Sequence, residues 1–197
     1  MDTSNTAVRI LDAAQELVQT RGFNAFSYRD LAERVGIRTA SIHYHFPAKS
    51  DLGRALLQRY RGTVADARAQ VDAALPGGAD AAEKLRRFAA VLEGVLRDGG
   101  RICLGGMLAA DFATLPHEMQ RAVTAFVEDN ERWLAQVLVE GRAAGALAFQ
   151  GDPDVAGTAL FAALEGAMLT SRSRGDVEGY HSVSDWLIDN LAAARKG

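Results

Sequence analysis

Cysteine is almost missing from the 197-residue chain: Cys103 stands alone, so no disulfide can form within it, which fits a reducing compartment. Long hydrophobic runs are missing too. No stretch approaches the roughly 18 uninterrupted apolar residues of a membrane span. Asp2, Arg9, Asp12 and Glu16 interrupt the first twenty positions, unlike a secretory signal, and a cytoplasmic location is expected. Alternating Val, Ile and Thr runs bounded by turn pairs are nearly absent, which argues against a sheet. Also missing are a nucleophile beside a base, paired carboxylates at a plausible site and a glycine-rich phosphate loop, so a binding protein is expected rather than an enzyme. His43 and His45 do not make a metal pair: two apart on a helix they diverge by about 200°, and the i, i+4 spacing of helical ligands is lacking. No cofactor is expected.

What is present is ordinary globular composition, 48% hydrophobic and 24% charged, with apolar residues recurring at helical spacing throughout. The net charge of −3 is unevenly spread. Residues 1–63 carry nine Lys/Arg against six Asp/Glu (+3), and residues 64–197 carry thirteen against nineteen (−6). A phosphate-binding module needs local charge rather than a basic whole, so a small DNA reader on an acidic body is permitted.

The spacing predicts a first helix from about Asn5 to Arg21, with Ala7, Ile10, Leu11, Ala14, Leu17 and Val18 on one stripe and Gly22 able to end it. Ser27-Tyr28-Arg29-Asp30 has the capping-box pattern, so a helix should start at Tyr28 and stop at Gly36. A second short helix, from about Arg38 to Phe46, ends before Pro47. Two short helices around a glycine turn suggest helix-turn-helix. A helix from about Lys49 to Ala74 follows, long enough at roughly 35 to 40 Å to connect two lobes. Further helices are expected at about 80–97, 104–113, 116–144, 153–174 and 179–195.

On the second short helix, steps of about 100° put Ile42 and Phe46 inward, while Ala40, Ser41, His43 and Tyr44 point outward. The outward groups suit base edges and thymine methyls in a major groove. Arg38 and Thr39 lie at the helix start. Lys49 opens the next helix, where backbone donors and the dipole already favour phosphate.

From Ala7 to Leu52 the chain resembles the DNA-binding domain of TetR-type transcriptional regulators. Tyr28-Arg29-Asp30-Leu31-Ala32, Val35-Gly36-Ile37 and Ser41-Ile42-His43-Tyr44-His45-Phe46-Pro47-Ala48-Lys49 carry the likeness. It implies phosphate contacts from Ser27, Tyr28, Tyr44, His45 and Lys49, and base-edge contacts from Arg29, Thr39, Ala40 and His43, with Arg38 fitted for either. The sequence departs from the family at His43, where tyrosine is usual, and at Arg38, where a small capping residue is usual. The expected architecture is all-α, with a helix-turn-helix domain over 1–48 and an effector-binding and dimerisation domain over 49–197.

In the second segment, Met119, Val123, Phe126, Val127, Trp133, Leu134, Val137 and Leu138 form one stripe with Asn130 in its middle. Its amide must be bonded in the core or line a cavity. In the second case Phe88, Leu92, Cys103, Met107, Phe126, Asn130 and Trp133 would border an apolar effector pocket. Cys103 near Arg101 could instead be a reactive thiol sensing electrophiles or oxidants. The 153–174 helix is apolar nearly all round. Ala156, Ala159, Ala163, Gly166, Ala167 and Thr170 lie on one side and Phe161, Leu164 and Met168 on the other, so both sides must be covered. The last helix adds Val183, Trp186, Leu187 and Leu191. The resemblance implies a two-fold dimer through these two helices, a palindromic operator, and a repressor released by a small-molecule effector. The alternatives are a thiol-switched repressor of the same fold, an enzyme using the body's pocket, and an interaction module that no longer reads DNA.

Overall fold

The computed structural model describes residues 3–193. The helices are α1 (Thr3–Arg21), α2 (Tyr28–Val35), α3 (Thr39–His45), α4 (Lys49–Ala74), α5 (Ala81–Arg97), α6 (Leu104–Ala110), α7 (His117–Ala143), α8 (Pro153–Arg174) and α9 (Val177–Leu191). Among the described residues no strand forms. One isolated antiparallel bridge pairs Leu147 with Ala192.

Helices α3, α6 and α9 differ from the sequence expectation for local reasons. Helix α3 is a residue shorter at each end, because Arg38 is extended (φ −79°, ψ 146°) and Phe46 leaves the helical region. Helix α6 stops at Ala110, and Phe112–Thr114 tightens into a 3₁₀ turn. Helix α9 starts two residues early, since the Asp176 carboxylate accepts from the Gly179 amide at 2.9 Å. It ends at Leu191 because Ala192 turns extended and the Ala193 amide donates to the Ala146 carbonyl at 3.0 Å. Residues 194 and 195 of the expected helix lie outside the described residues.

By contacts the chain forms two compact units. One takes the chain as far as Gly62 together with Cys103–Phe126; the other takes Thr63–Ile102 together with the chain from Val127. Both α4 and α7 pass through this division. The first unit is larger than a helix-turn-helix alone because α6 and the start of α7 pack into it. Gly105 lies so close to Phe126 that an added Cβ would sit 2.1 Å from the ring, and a Cβ on Gly53 would meet Met119 at 2.4 Å.

The second unit is held by apolar contact and by a few buried polar ties. Tyr180 is fully buried and its hydroxyl donates to the Ala89 carbonyl at 3.1 Å, joining α9 to α5. Lys84 is also buried, with its ammonium 3.1 Å from Asp72 and 3.4 Å from Glu140, so one cation joins α4, α5 and α7. Burial opposes its charge, but the Asp72 hydrogen bond and the two carboxylates outweigh that and raise its pKa.

The buried stripe of α8 is Gly157, Leu160, Phe161, Leu164, Ala167, Met168 and Ser171. Ala167, expected on a partner-facing side, falls three residues after Leu164 and is therefore inside, 5% exposed. The outward apolar stripe is rotated accordingly. It runs through Val155, Ala159, Ala162 and Leu169, with Gly166 half-buried among them, and α9 adds Val183 and Trp186. Ala156, Ala163, Leu187 and Leu191 are half-buried.

Helix α8 approaches α7 through Gly157, where an added Cβ would lie 2.9 Å from both the Ala135 nitrogen and the Glu131 oxygen. Alanine in a helix ordinarily gains up to about 1 kcal/mol over glycine. Here the obstruction is backbone, so overpacking at about 1 to 3 kcal/mol should win. Gly157→Ala is expected to lower stability in denaturant melts, and a gain would refute this packing.

Candidate nucleic-acid interface

The first unit builds a short helix whose two edges have opposite fates. On α3, Ile42 is fully buried and Phe46, just beyond the helix, is 8% exposed. Tyr44 is 76% exposed, Ala40 and His43 are exposed, and Thr39, Ser41 and His45 are half-buried. Arg38 and Arg29 are exposed as well, Arg29 lying 4.0 Å from Glu33 on its own helix.

Helix α2 sets the position of α3. Its start is a capping box: Ser27 Oγ accepts from the Asp30 amide, and the Asp30 carboxylate accepts from the Ser27 amide at 2.7 Å and the Ser27 hydroxyl at 2.6 Å. These Ser27 hydrogen bonds hold the Asp30 carboxyl below the usual carboxylate range. At its end Gly36 is left-handed (φ 73°), and the amides of Gly36 and Ile37 both return to the Ala32 carbonyl. Glycine alone takes this turn without strain.

Tyr28 joins α2 to the far end of α3. Its hydroxyl donates to the Phe46 carbonyl at 2.9 Å, and its ring meets the His43 imidazole edge-on with centroids 4.8 Å apart. His43 Nδ1 lies 3.3 Å from the Pro47 carbonyl oxygen. Tyr44 and His45 pack edge-on at 5.2 Å. Lys49 turns inward, its ammonium donating to the Phe23 carbonyl at 2.6 Å and to the Phe26 carbonyl. The same ammonium lies 4.9 and 4.2 Å from the centroids of the Phe23 and Phe26 rings. Burial pushes the Lys49 pKa down, while Asp111 and Asp30 work the other way.

These placements give the donors of three expected phosphate contacts a second task within the unit. Phosphate oxygens only accept, and the donors of Ser27 and Tyr28 are already spent on Asp30 and Phe46. Lys49 likewise gives two of its donors to carbonyls of its own unit. All three thereby help to position α3, with Ser27 exposed and Tyr28 and Lys49 half-buried. The α4 start is also partly occupied, since the Ala48 amide donates to the Asp51 carboxylate at 3.0 Å. Asp51, three residues after Ala48, has capping-box spacing that would have revealed it.

In the second unit, Phe88 and Trp133 stack with centroids 5.3 Å apart, and Trp133 Nε1 donates to Asp72 at 2.8 Å. Asn130 is 1% exposed and its side-chain oxygen accepts from Arg68 at 3.4 Å. Arg68 precedes Asn130 by 62 residues, a pairing no local pattern announces. Leu92 is buried. A cleft of about 530 Å³ opens between α4 and α7 and takes in Trp133, Arg68, Asp72 and Arg132. In the first unit, Phe126 is buried with its ring 5.8 Å from that of Tyr60, Met107 is half-buried, and Cys103 is 1% exposed at the start of α6.

A capped α2, a left-handed glycine and an α3 with one buried and one presented edge define a helix-turn-helix protein. Residues 10–56 match the family described as bacterial regulatory proteins, tetR family, and residues 81–187 match the tetracyclin repressor-like C-terminal domain. A TetR-family regulator from Agrobacterium tumefaciens superimposes with TM-score 0.92 at 32% identity, covering 98% of this chain and all of that one. One from Legionella pneumophila gives 0.83, also at 32%, covering 97% of this chain and all of that one. The transcriptional regulator AcuR of Cereibacter sphaeroides is 28% identical over 183 residues, 92% of this chain and 83% of that protein. The chain belongs to the TetR family of DNA-binding transcriptional regulators.

The Tyr28 phenol is pushed up to about 12 from 10.0, by burial first and then by the Asp51 charge. The folded state therefore holds this proton more tightly than the unfolded one. Its contribution is complete below about pH 10 and lost as pH rises to about 12. Tyr28→Phe should cost about 1 kcal/mol at neutral pH through the lost hydrogen bond, and should lose less additional stability than the parent on going to alkaline pH. Equal alkaline losses in denaturant titrations would refute the assignment.

Proposed function

We propose that the protein is a cytoplasmic repressor that binds a palindromic operator as a homodimer, leaves it when a small-molecule effector binds, and performs no catalysis. The observation that carries this reading is the presented edge of α3, with Ala40, His43 and Tyr44 exposed while Ile42 and Phe46 are buried beneath. Base-edge contacts fall to Arg29, Thr39, Ala40 and His43, with Ser41 beside them. Phosphate contacts fall to Tyr44 and His45, and Arg38 serves either. Among the described residues no helix is long and apolar enough to cross a membrane.

The rotated α8 stripe supports the dimer. Val155 and Trp186 are 68% and 65% exposed, and Leu169 and Val183 continue the same surface. Apolar side chains so exposed gain by meeting their own copies across a two-fold axis, and a two-fold protein requires a two-fold operator. Effector and operator then compete through one equilibrium, so each must weaken the other by the same factor. The cleft beside Trp133 supports the small-molecule part, offering an indole, two guanidiniums and two carboxylates to one ligand.

Trp186→Glu should convert dimer to monomer in sedimentation equilibrium and reduce operator affinity by about 100-fold or more, because two linked heads are reduced to one. A dimer that persists with full affinity would remove α9 from the interface. For an effector found by screening, equal affinity for the free and operator-bound protein would rule out the release mechanism.

A further inference from the structure

His43 carries more chemical information than its exposure alone, because its two ring nitrogens have different surroundings. Nδ1 lies 3.3 Å from the Pro47 carbonyl oxygen. A carbonyl oxygen cannot donate, so a hydrogen bond there requires the proton on Nδ1. In a neutral imidazole the other nitrogen, Nε2, is then an acceptor without a proton. The Tyr28 ring closes one side of the imidazole at 4.8 Å, and the Tyr28 hydroxyl fixes the Phe46 carbonyl one residue before Pro47. The same tyrosine thus sets both the ring and the backbone that chooses its tautomer. In the ring, Nε2 points away from Nδ1 and hence away from Pro47, and the side chain is exposed on the reading edge of α3.

We propose that His43 is a specificity-determining residue that reads an exocyclic amino group in the major groove through its Nε2 lone pair. This rests on the DNA-reading face assigned above to α3. Only two major-groove edges present such a donor, adenine through N6 and cytosine through N4. Guanine offers N7 and O6 acceptors and thymine an O4 acceptor. An acceptor-only nitrogen therefore selects adenine or cytosine and rejects guanine and thymine at one step of each half-site. A tyrosine at the same place carries a hydroxyl that both donates and accepts and imposes no such choice. The departure from the family pattern at this position is therefore a change in what is read.

Selection of bound duplexes from a randomised pool, done in parallel with the parent and with His43→Ala, tests this. The parent should enrich adenine or cytosine at one step per half-site, and His43→Ala should lose that preference while keeping the others. If adenine is enriched, replacing it by purine, which lacks the amino group, should weaken binding about tenfold per half-site, whereas 7-deazaadenine, which lacks the N7 acceptor, should bind as before. If cytosine is enriched, 2-pyrimidinone takes the place of purine. His43→Arg, a donor only, should turn the preference to guanine. Long-range ¹H–¹⁵N spectra of the neutral side chain in the free protein should show the proton on Nδ1. Enrichment of guanine or thymine, loss of binding with the 7-deaza base, or a proton on Nε2 would each overturn the inference. A protein that enriches no sequence at all would instead refute the proposed function, and the tautomer would still be decided by the spectra.

Discussion

A helix of seven residues is too short to hold its shape in water, so the conformation of α3 is imposed by what lies under and beside it. Ile42 and Phe46 supply the buried edge, and full burial of such side chains is worth about 1.5 to 3 kcal/mol each. Tyr28 supplies the direction, through its hydrogen bond to Phe46 and its ring against His43. Everything outward on α3 depends on this grip, because a reading edge helps only when its side chains are already placed before DNA arrives.

The grip explains why residues that look like backbone-binding groups are turned inward. Lys49 joins the Phe23 and Phe26 carbonyls and faces both rings. Those carbonyls belong to the turn between α1 and α2, so one ammonium fastens the start of α4 to the segment that launches the reading pair. Ser27 and Asp30 close the start of α2 in the same way. The arrangement favours rigidity of the reading head over reach.

The fold was largely legible, and the reasons are specific. The start of α4 followed from Pro47, and that of α2 from its capping box, signals that punctuate the chain on the scale of one turn. The two faces of α3 followed from counting 100° steps past Ile42. What was not legible depended on partners far away in sequence. The Lys49 side chain finds carbonyls 23 and 26 residues earlier, and Asn130 finds Arg68. On α8 the burial of Ala167 was not legible, because a helix that is apolar nearly all round has no polar stripe to fix its rotation. Ala167 lies between the buried Leu164 and Met168 and shares their inward side.

Charge counting is where sequence and structure diverge most usefully. The first 63 residues balance at +3, and several of their cations engage groups of their own unit. Arg9 donates to the Val35 carbonyl, Arg34 meets Glu16, Arg54 meets Asp51 and Glu118, and Arg59 meets Asp12. With Lys49 that makes five cations engaged within the unit. Exposed pairs of this kind contribute little stability each, but they lower the number of charges presented to phosphate. Fewer cations are then left for counterion release. Under the reading proposed for α3, the identity of the groups along Ala40, His43 and Tyr44 then matters more than the net charge of the domain.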